Sequence, residues 1–310
     1  MNRIRVVLAG ALCVTAAATA AWALAYPQNS LPTSLFRALA DGAAVVTLGL
    51  VVVPALDDSR HRGELAERAA GPLVLASACW VVAELLRVSI EAAQAAGTSL
   101  ALVGVRTTYE FAAETAAGRT GAMCVASAAV VCGVAAVVRA PRWSPQAMIV
   151  AAGAAAIGVS ARSVVGHLGE SPLGGIAVAV HALAGAVWCG VLAALVLVVG
   201  HRGQWARVLP RFSRLSLVCV VVLLACGMVG AVVVLDAPAA LYATGYGRVL
   251  TAKMVVTAVL IAVAWRNRAG WLPAVRSHRA TAGVSRLRSR VELAIMAVAL
   301  TLAAALAVTG

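Results

Sequence analysis

Apolar residues run along this chain in long unbroken stretches, without the regular polar face that a helix or strand half-exposed to water would show. Nine stretches stand out: Ile4 to Tyr26, Ser34 to Leu56, Gly71 to Ala93, Arg119 to Val138, Gln146 to Val165, Gly174 to Val199, Arg214 to Leu235, Gly247 to Trp265 and Val291 to Thr309. Each is close to the roughly 20 residues that a helix needs to cross about 30 Å of hydrocarbon. In lipid a chain must satisfy its backbone internally, and uninterrupted runs of this length do so as helices. The pattern predicts an all-α fold, a polytopic transmembrane helix bundle of about nine spans, with residues 1–310 forming a single integral membrane domain. The longest breaks, Gln94 to Gly118 and Arg266 to Arg290, have room for loops or interfacial helices and not for a soluble domain. Arg3, Arg5, the apolar run and Ala23-Leu24-Ala25 also resemble a signal peptide, and cleavage there would leave eight spans. The run exceeds the usual apolar core of about 7–15 residues, which favours a retained span.

Composition agrees: 62% of the residues are hydrophobic and 12% charged, with a mean hydropathy of +0.95. The net charge of +13 invites a nucleic-acid reading, but 18 of the 25 basic residues lie on one side of the predicted spans, in the breaks or at the span ends. By the positive-inside rule that side is cytoplasmic. The N-terminus is then inside and the C-terminus outside, the basic surplus is a topology signal, and no nucleic-acid partner is expected. The last inner loop, with seven arginines, has the character of a segment that meets anionic headgroups of the lipid bilayer. Arginine outnumbers lysine 24 to 1 in an alanine-rich chain, a bias of GC-rich bacterial genomes.

All seven cysteines fall inside predicted spans, with no C-x-x-C pair, so neither a disulfide framework nor a zinc knuckle is implied. No nucleophile–base–acid set, P-loop or metallohydrolase motif occurs, and no enzyme is expected. A short echo does occur. Thr115-Ala-Ala-Gly118-Arg119 opens the fourth span and Thr244-Gly-Tyr-Gly247-Arg248 the eighth, in the same direction, as a parallel repeat or a chance match would have it.

Polar residues inside the spans carry the candidate chemistry. His167 ends one span and His181 lies seven residues into the next, so two imidazoles meet near the outer surface, with Glu170 in the turn between. Such a pair can share one metal ion, and imidazole suits copper. The plainer account has His181 bonding a neighbouring helix and His167 in water. Lys253, the single lysine, and Asp41 lie at similar depths from the outer end. They either form charge at a cavity mouth or, for Lys253, snorkel to the interface. Glu84, Arg87 and Glu91 share one face at helical spacing and read as a self-neutralising ladder. Trp22, Tyr26, Tyr242, Tyr246 and Trp265 fall near the interfaces, as aromatic belts do.

These residues combine into a recognisable order. His167, then His181-Ala-Leu-Ala-Gly-Ala-Val-Trp188-Cys-Gly190, then Arg211-Phe212-Ser213, then Tyr246-Gly247-Arg248-Val-Leu-Thr-Ala-Lys253, then Arg266-Asn267-Arg268, then Arg290-Val-Glu292-Leu closely resembles the copper resistance protein D family. The likeness is strongest over residues 160–310; earlier it rests on Asp41-Gly42 and Gly118-Arg119. Trp188, Gly190, Phe212, Ser213, Tyr246, Gly247, Arg248, Asn267 and Glu292 are the motif positions expected to serve structure. The family usually has two glycines after the tryptophan, whereas here Gly190 is followed by Val191, which puts local helix packing in question.

The resemblance implies a multi-pass protein of the bacterial plasma membrane that receives copper at the outer face and carries it inward. His167 and His181 would be the metal ligands. Cys189, Cys226, Met228 and Met254 would offer soft sulfur deeper in, where sulfur suits Cu(I). Cys189 is eight residues after His181, on roughly the same helix face. The sequence has no His- or Met-rich outer segment, so a soluble extracytoplasmic copper donor is the expected partner. Two other classes remain open here: a b-type haem protein for electron transfer, with haem as cofactor, and a non-transporting assembly subunit that supplies copper to oxidases.

Overall fold

A computed structural model describes residues 3–27, 30–137, 144–161, 172–234, 239–277 and 281–309. Among them there are helices and no strands. The helices are α1 Arg3–Ala25, α2 Leu31–Val52, α3 Arg62–Ala95, α4 Val105–Glu114, α5 Ala116–Val137 and α6 Pro145–Ala161. They continue as α7 Pro172–Val198, α8 Arg202–Val234, α9 Ala240–Ala243, α10 Gly245–Arg266, α11 Leu272–Arg276 and α12 Ala282–Thr309. A 3₁₀ turn, Val53–Leu56, prolongs α2, and a π turn, Asn267–Trp271, joins α10 to α11.

Seven helical stretches are long and apolar enough to cross a membrane, and two shorter apolar ones, Gly10–Ala25 and Pro145–Ala161, accompany them. Hydropathy locates their apolar parts well and their starts less well. α3 begins at Arg62 rather than Gly71, α8 at Arg202 rather than Arg214 and α12 at Ala282 rather than Val291. The reason is physical: an apolar run marks the thickness of the hydrocarbon, while helical hydrogen bonding continues into water where Arg and Glu are at home. The break after α3 holds α4, whose side chains are all at least partly exposed.

The chain divides into two compact units, residues 39–198 with 219–234, and residues 1–38 with 199–218 and 235–310. In the first, small residues bring helices into backbone contact, the usual basis of association in lipid. A Cβ at Gly49 would lie 1.9 Å from the Gly190 carbonyl oxygen, and one at Gly190 would lie 2.1 Å from that of Val45. α2 and α7 therefore touch main chain to main chain. The ring of Trp80 on α3, fully buried, occupies the space that a Cβ at Gly158 on α6 would fill, and the Cys124 thiol on α5 donates to the Gly158 carbonyl at 3.3 Å.

In the second unit, Ala21 and Ala25 of α1, Val249 of α10 and Leu302, Ala305 and Leu306 of α12 form one buried cluster. Polar side chains close the frame around it. Arg248 Nε donates to the Leu24 carbonyl at 2.8 Å, and Arg286 Nη2 to that of Gly200 at 2.7 Å. The Trp271 indole donates to Ser285 Oγ at 3.1 Å and lies 6.0 Å from the Trp205 ring.

Candidate functional site

α7 starts at Pro172, whose fixed φ suits a first helical turn, and continues without a break past His181. The imidazole turns toward α8, where His181 Nδ1 lies 3.1 Å from the Leu223 carbonyl oxygen. A carbonyl only accepts, so Nδ1 carries a proton, and in the neutral ring the lone pair is on Nε2. Metal-binding histidines have their second nitrogen fixed in this way, often by a backbone carbonyl. Gly227 makes room for it: a Cβ there would come 3.6 Å from His181 Cε1. The side chain is half-buried. His167 and Glu170 lie outside the described residues, so the second ligand of the expected pair has no geometry here.

The expected sulfur positions separate by facing. Cys189 and Cys226 are half-buried, whereas Met228 and Met254 are 67% and 54% exposed on their helices. Asp41, half-buried on α2, belongs to the first unit, and Lys253, half-buried on α10, to the second.

The other charged set in the first unit is a connected one. Glu84 Oε1 accepts from the Trp80 indole at 2.9 Å, Glu84 Oε2 accepts from Arg87 Nε at 3.0 Å, and Arg87 Nη1 bonds Glu91. Glu84 is fully buried and Arg87 is 5% exposed. The ladder read from the spacing is therefore a buried hydrogen-bonded chain, with two carboxylates to one guanidinium.

The motif positions serve as inter-helix fasteners. Asn267 Nδ2 donates to Glu292 Oε2 at 2.8 Å, tying the end of α10 to α12, and Arg268 Nη1 donates to both the carbonyl and the hydroxyl of Ser213 at 2.8 Å. Phe212 and Trp188 are buried, Tyr246 packs on the alanine-rich cluster, and the Gly247 amide donates to Thr244 Oγ1, capping α10. Gly190 is the close-contact point with α2.

Two features escaped the sequence reading. Asp57, Asp58 and His61, at the turn from α2 to α3, bring ligating atoms within 4.8 Å of one another, the one such trio among the described residues. It lies at the arginine-rich end of the helices, and Asp57 Oδ1 accepts the Asp58 amide at 2.9 Å. The other is Cys219, 5% exposed on α8. Its place four residues before Leu223 was readable, but that Leu223 touches α7 was not.

Helices long and apolar enough to span, with polar groups tied between them, define an all-helical multi-pass membrane protein. Residues 27–174 match the family model for the copper resistance protein D-like N-terminal domain, and residues 206–306 match that for copper resistance protein D. The chain belongs to the copper resistance protein D family. His181, Trp188 and Gly190 lie between the two matched stretches. Comparison with curated proteins gave no match, and comparison with solved structures gave none.

Proposed function

We propose that the protein takes up copper at the outer face of the bacterial plasma membrane and passes it inward between its helices. The observation that carries this reading is His181, held on an apolar helix with Nδ1 committed to the Leu223 carbonyl and its lone pair on Nε2. An imidazole costs free energy inside a bilayer unless it is partnered or binds something, and this one is set as a metal ligand sets it. His167 supplies the second nitrogen, and a soluble donor outside the membrane delivers the ion. The chain works as one membrane domain without enzymatic chemistry. It spans nine times, counting the two shorter apolar helices, with the N-terminus inside and the arginine-rich ends of α3, α8 and α12 in the cytoplasm.

The test is bound copper per protein after loading the purified protein in detergent, wild type against His167→Ala with His181→Ala, with the visible spectrum recorded alongside. Near-stoichiometric copper that disappears in the double variant supports the reading. Equal copper in both removes the histidines from the site, and a haem Soret band in the wild type would replace the copper reading by electron transfer.

A further inference from the structure

α7 and α8 are consecutive helices joined by a short turn, so they run antiparallel, and their contacts fix the register. His181 stands opposite Gly227, at 3.6 Å from that glycine's Cβ position to Cε1. One helical turn further along α7, the Cβ position of Gly185 lies 3.7 Å from Leu223 Cδ2 on α8. That step of four residues down α7 is matched by four residues back along α8. Carried one turn further, the same register sets Cys189 opposite Cys219. Residues 181, 185 and 189 form one i+4 ridge and residues 219, 223 and 227 another, and helices pack by setting such ridges into the neighbour's grooves.

Neither cysteine is in a disulfide. Cys219 is 5% exposed, Cys189 is half-buried, and both belong to the first compact unit. The pair lies eight residues beyond His181 along α7, about 12 Å at 1.5 Å per residue, toward the arginine-rich end.

We propose that Cys189 and Cys219 form a Cu(I) site on the α7–α8 seam, deeper in the membrane than His181. The inference rests on the copper reading above and adds the oxidation state that the seam accepts. Two sulfurs select a soft monovalent ion over hard or divalent ones. On binding, Cu⁺ replaces the proton of one thiol and the second sulfur donates its lone pair as the neutral thiol. The displaced proton leaves to solvent, the copper keeps its oxidation state, and the complex is neutral. Neutrality matters because a net charge at that depth is costly. A divalent ion bound the same way would leave a net positive charge in the hydrocarbon.

The experiment titrates the purified full-length protein with Cu(I) held by a chromogenic Cu(I) chelator under reducing conditions, and records copper X-ray absorption on the loaded samples. Four proteins are compared: wild type, Cys189→Ser with Cys219→Ser, Cys79→Ser with Cys132→Ser as a sulfur control on α3 and α5, and His167→Ala with His181→Ala. The expected result is copper–sulfur scattering in the wild type and the control, lost in the Cys189/Cys219 variant together with a drop of about tenfold or more in Cu(I) affinity, at least what loss of a supporting group costs at metal sites. Wild-type scattering without sulfur, or a Cys189/Cys219 variant that titrates and scatters like wild type, overturns the proposal. Copper lost in the histidine variant and not in the cysteine variant would overturn the seam site and leave the proposed function standing. The reverse would keep the seam site and remove the histidine pair. Wild-type scattering without sulfur overturns the proposal even if the serine variant fails to fold.

Discussion

Arg119 and Arg248 are held in the same way in different parts of the chain. Arg119 Nη1 turns back to the carbonyls of Ala113 and Glu114, both at 3.3 Å, and Arg248 Nη1 to those of Tyr242 and Ala243, both at 3.5 Å. Four residues before each arginine, a threonine Oγ1 accepts the amide of a glycine, at 2.8 Å for Thr115 and Gly118 and 2.9 Å for Thr244 and Gly247. The setting recurs too. His61-Arg62-Gly63 leads into α3 and His201-Arg202-Gly203 into α8. Each of those long helices contains a proline, Pro72 and Pro210, and is followed by a short helix and then the threonine-capped one.

If the two caps do equal work, their loss costs alike. Thr115→Ala and Thr244→Ala are each expected to lower stability by about 1 kcal/mol, the usual effect of removing an N-cap. Thermal unfolding of the two variants in one detergent measures this, and a threefold difference between them would refute the equivalence.

The buried chain on α3 makes a larger claim. Arg87→Met strands Glu84, which is fully buried, and is expected to destabilise by about 3–5 kcal/mol. Replacing Glu84 with Gln in the same protein should recover part of that loss, because one uncompensated charge goes and the amide oxygen can still accept from Trp80. No recovery in a double-mutant cycle would mean that the two side chains act independently.

Glu292 separates hydrogen bonding from charge. It is 3% exposed and accepts from Asn267 at 2.8 Å. Glu292→Gln keeps an acceptor and should fold much as wild type does, whereas Glu292→Leu leaves the Asn267 amide without its partner and should cost about 1–3 kcal/mol. Equal unfolding temperatures for these variants would show the bond to be idle.

Gly227 tests the imidazole's seat without touching the histidine. A Cβ there meets Cε1 at 3.6 Å, an ordinary contact, so Gly227→Ala should bind copper nearly as wild type does. Gly227→Val adds branches where the ring lies and should weaken copper binding by about 10–100-fold, the range for disturbed supporting groups at metal sites. Metal content after dialysis against a chelator would show it, and indifference to valine would place the copper elsewhere.

The apolar runs made the helical membrane class legible because hydrocarbon thickness dictates their length. The ordered motifs made the family legible, and the N-terminal match over residues 27–174 extends it into the part where the motifs were sparse. The Glu84, Arg87 and Glu91 ladder was readable from spacing alone, since its bonds stay within one helix. Facing was not. A run that is apolar all round gives no preferred side, so nothing in it said that His181 turns to α8, that Met228 and Met254 look outward, or that Cys219 is buried. Those facts depend on which small residues allow close approach, and the Val45, Gly49 and Gly190 contact appears only once two distant segments are brought together.

That contact also decides where traffic cannot go. With carbonyl oxygens pressed against α-carbons there is no gap for a bare ion, so α2 and α7 make an insulating wall at that depth. Gly190 is nine residues from His181, half a revolution away at about 100° per residue. The His181 side of α7 thus looks away from the wall, and on the proposed route a copper ion would follow the faces of α7 that the wall leaves open.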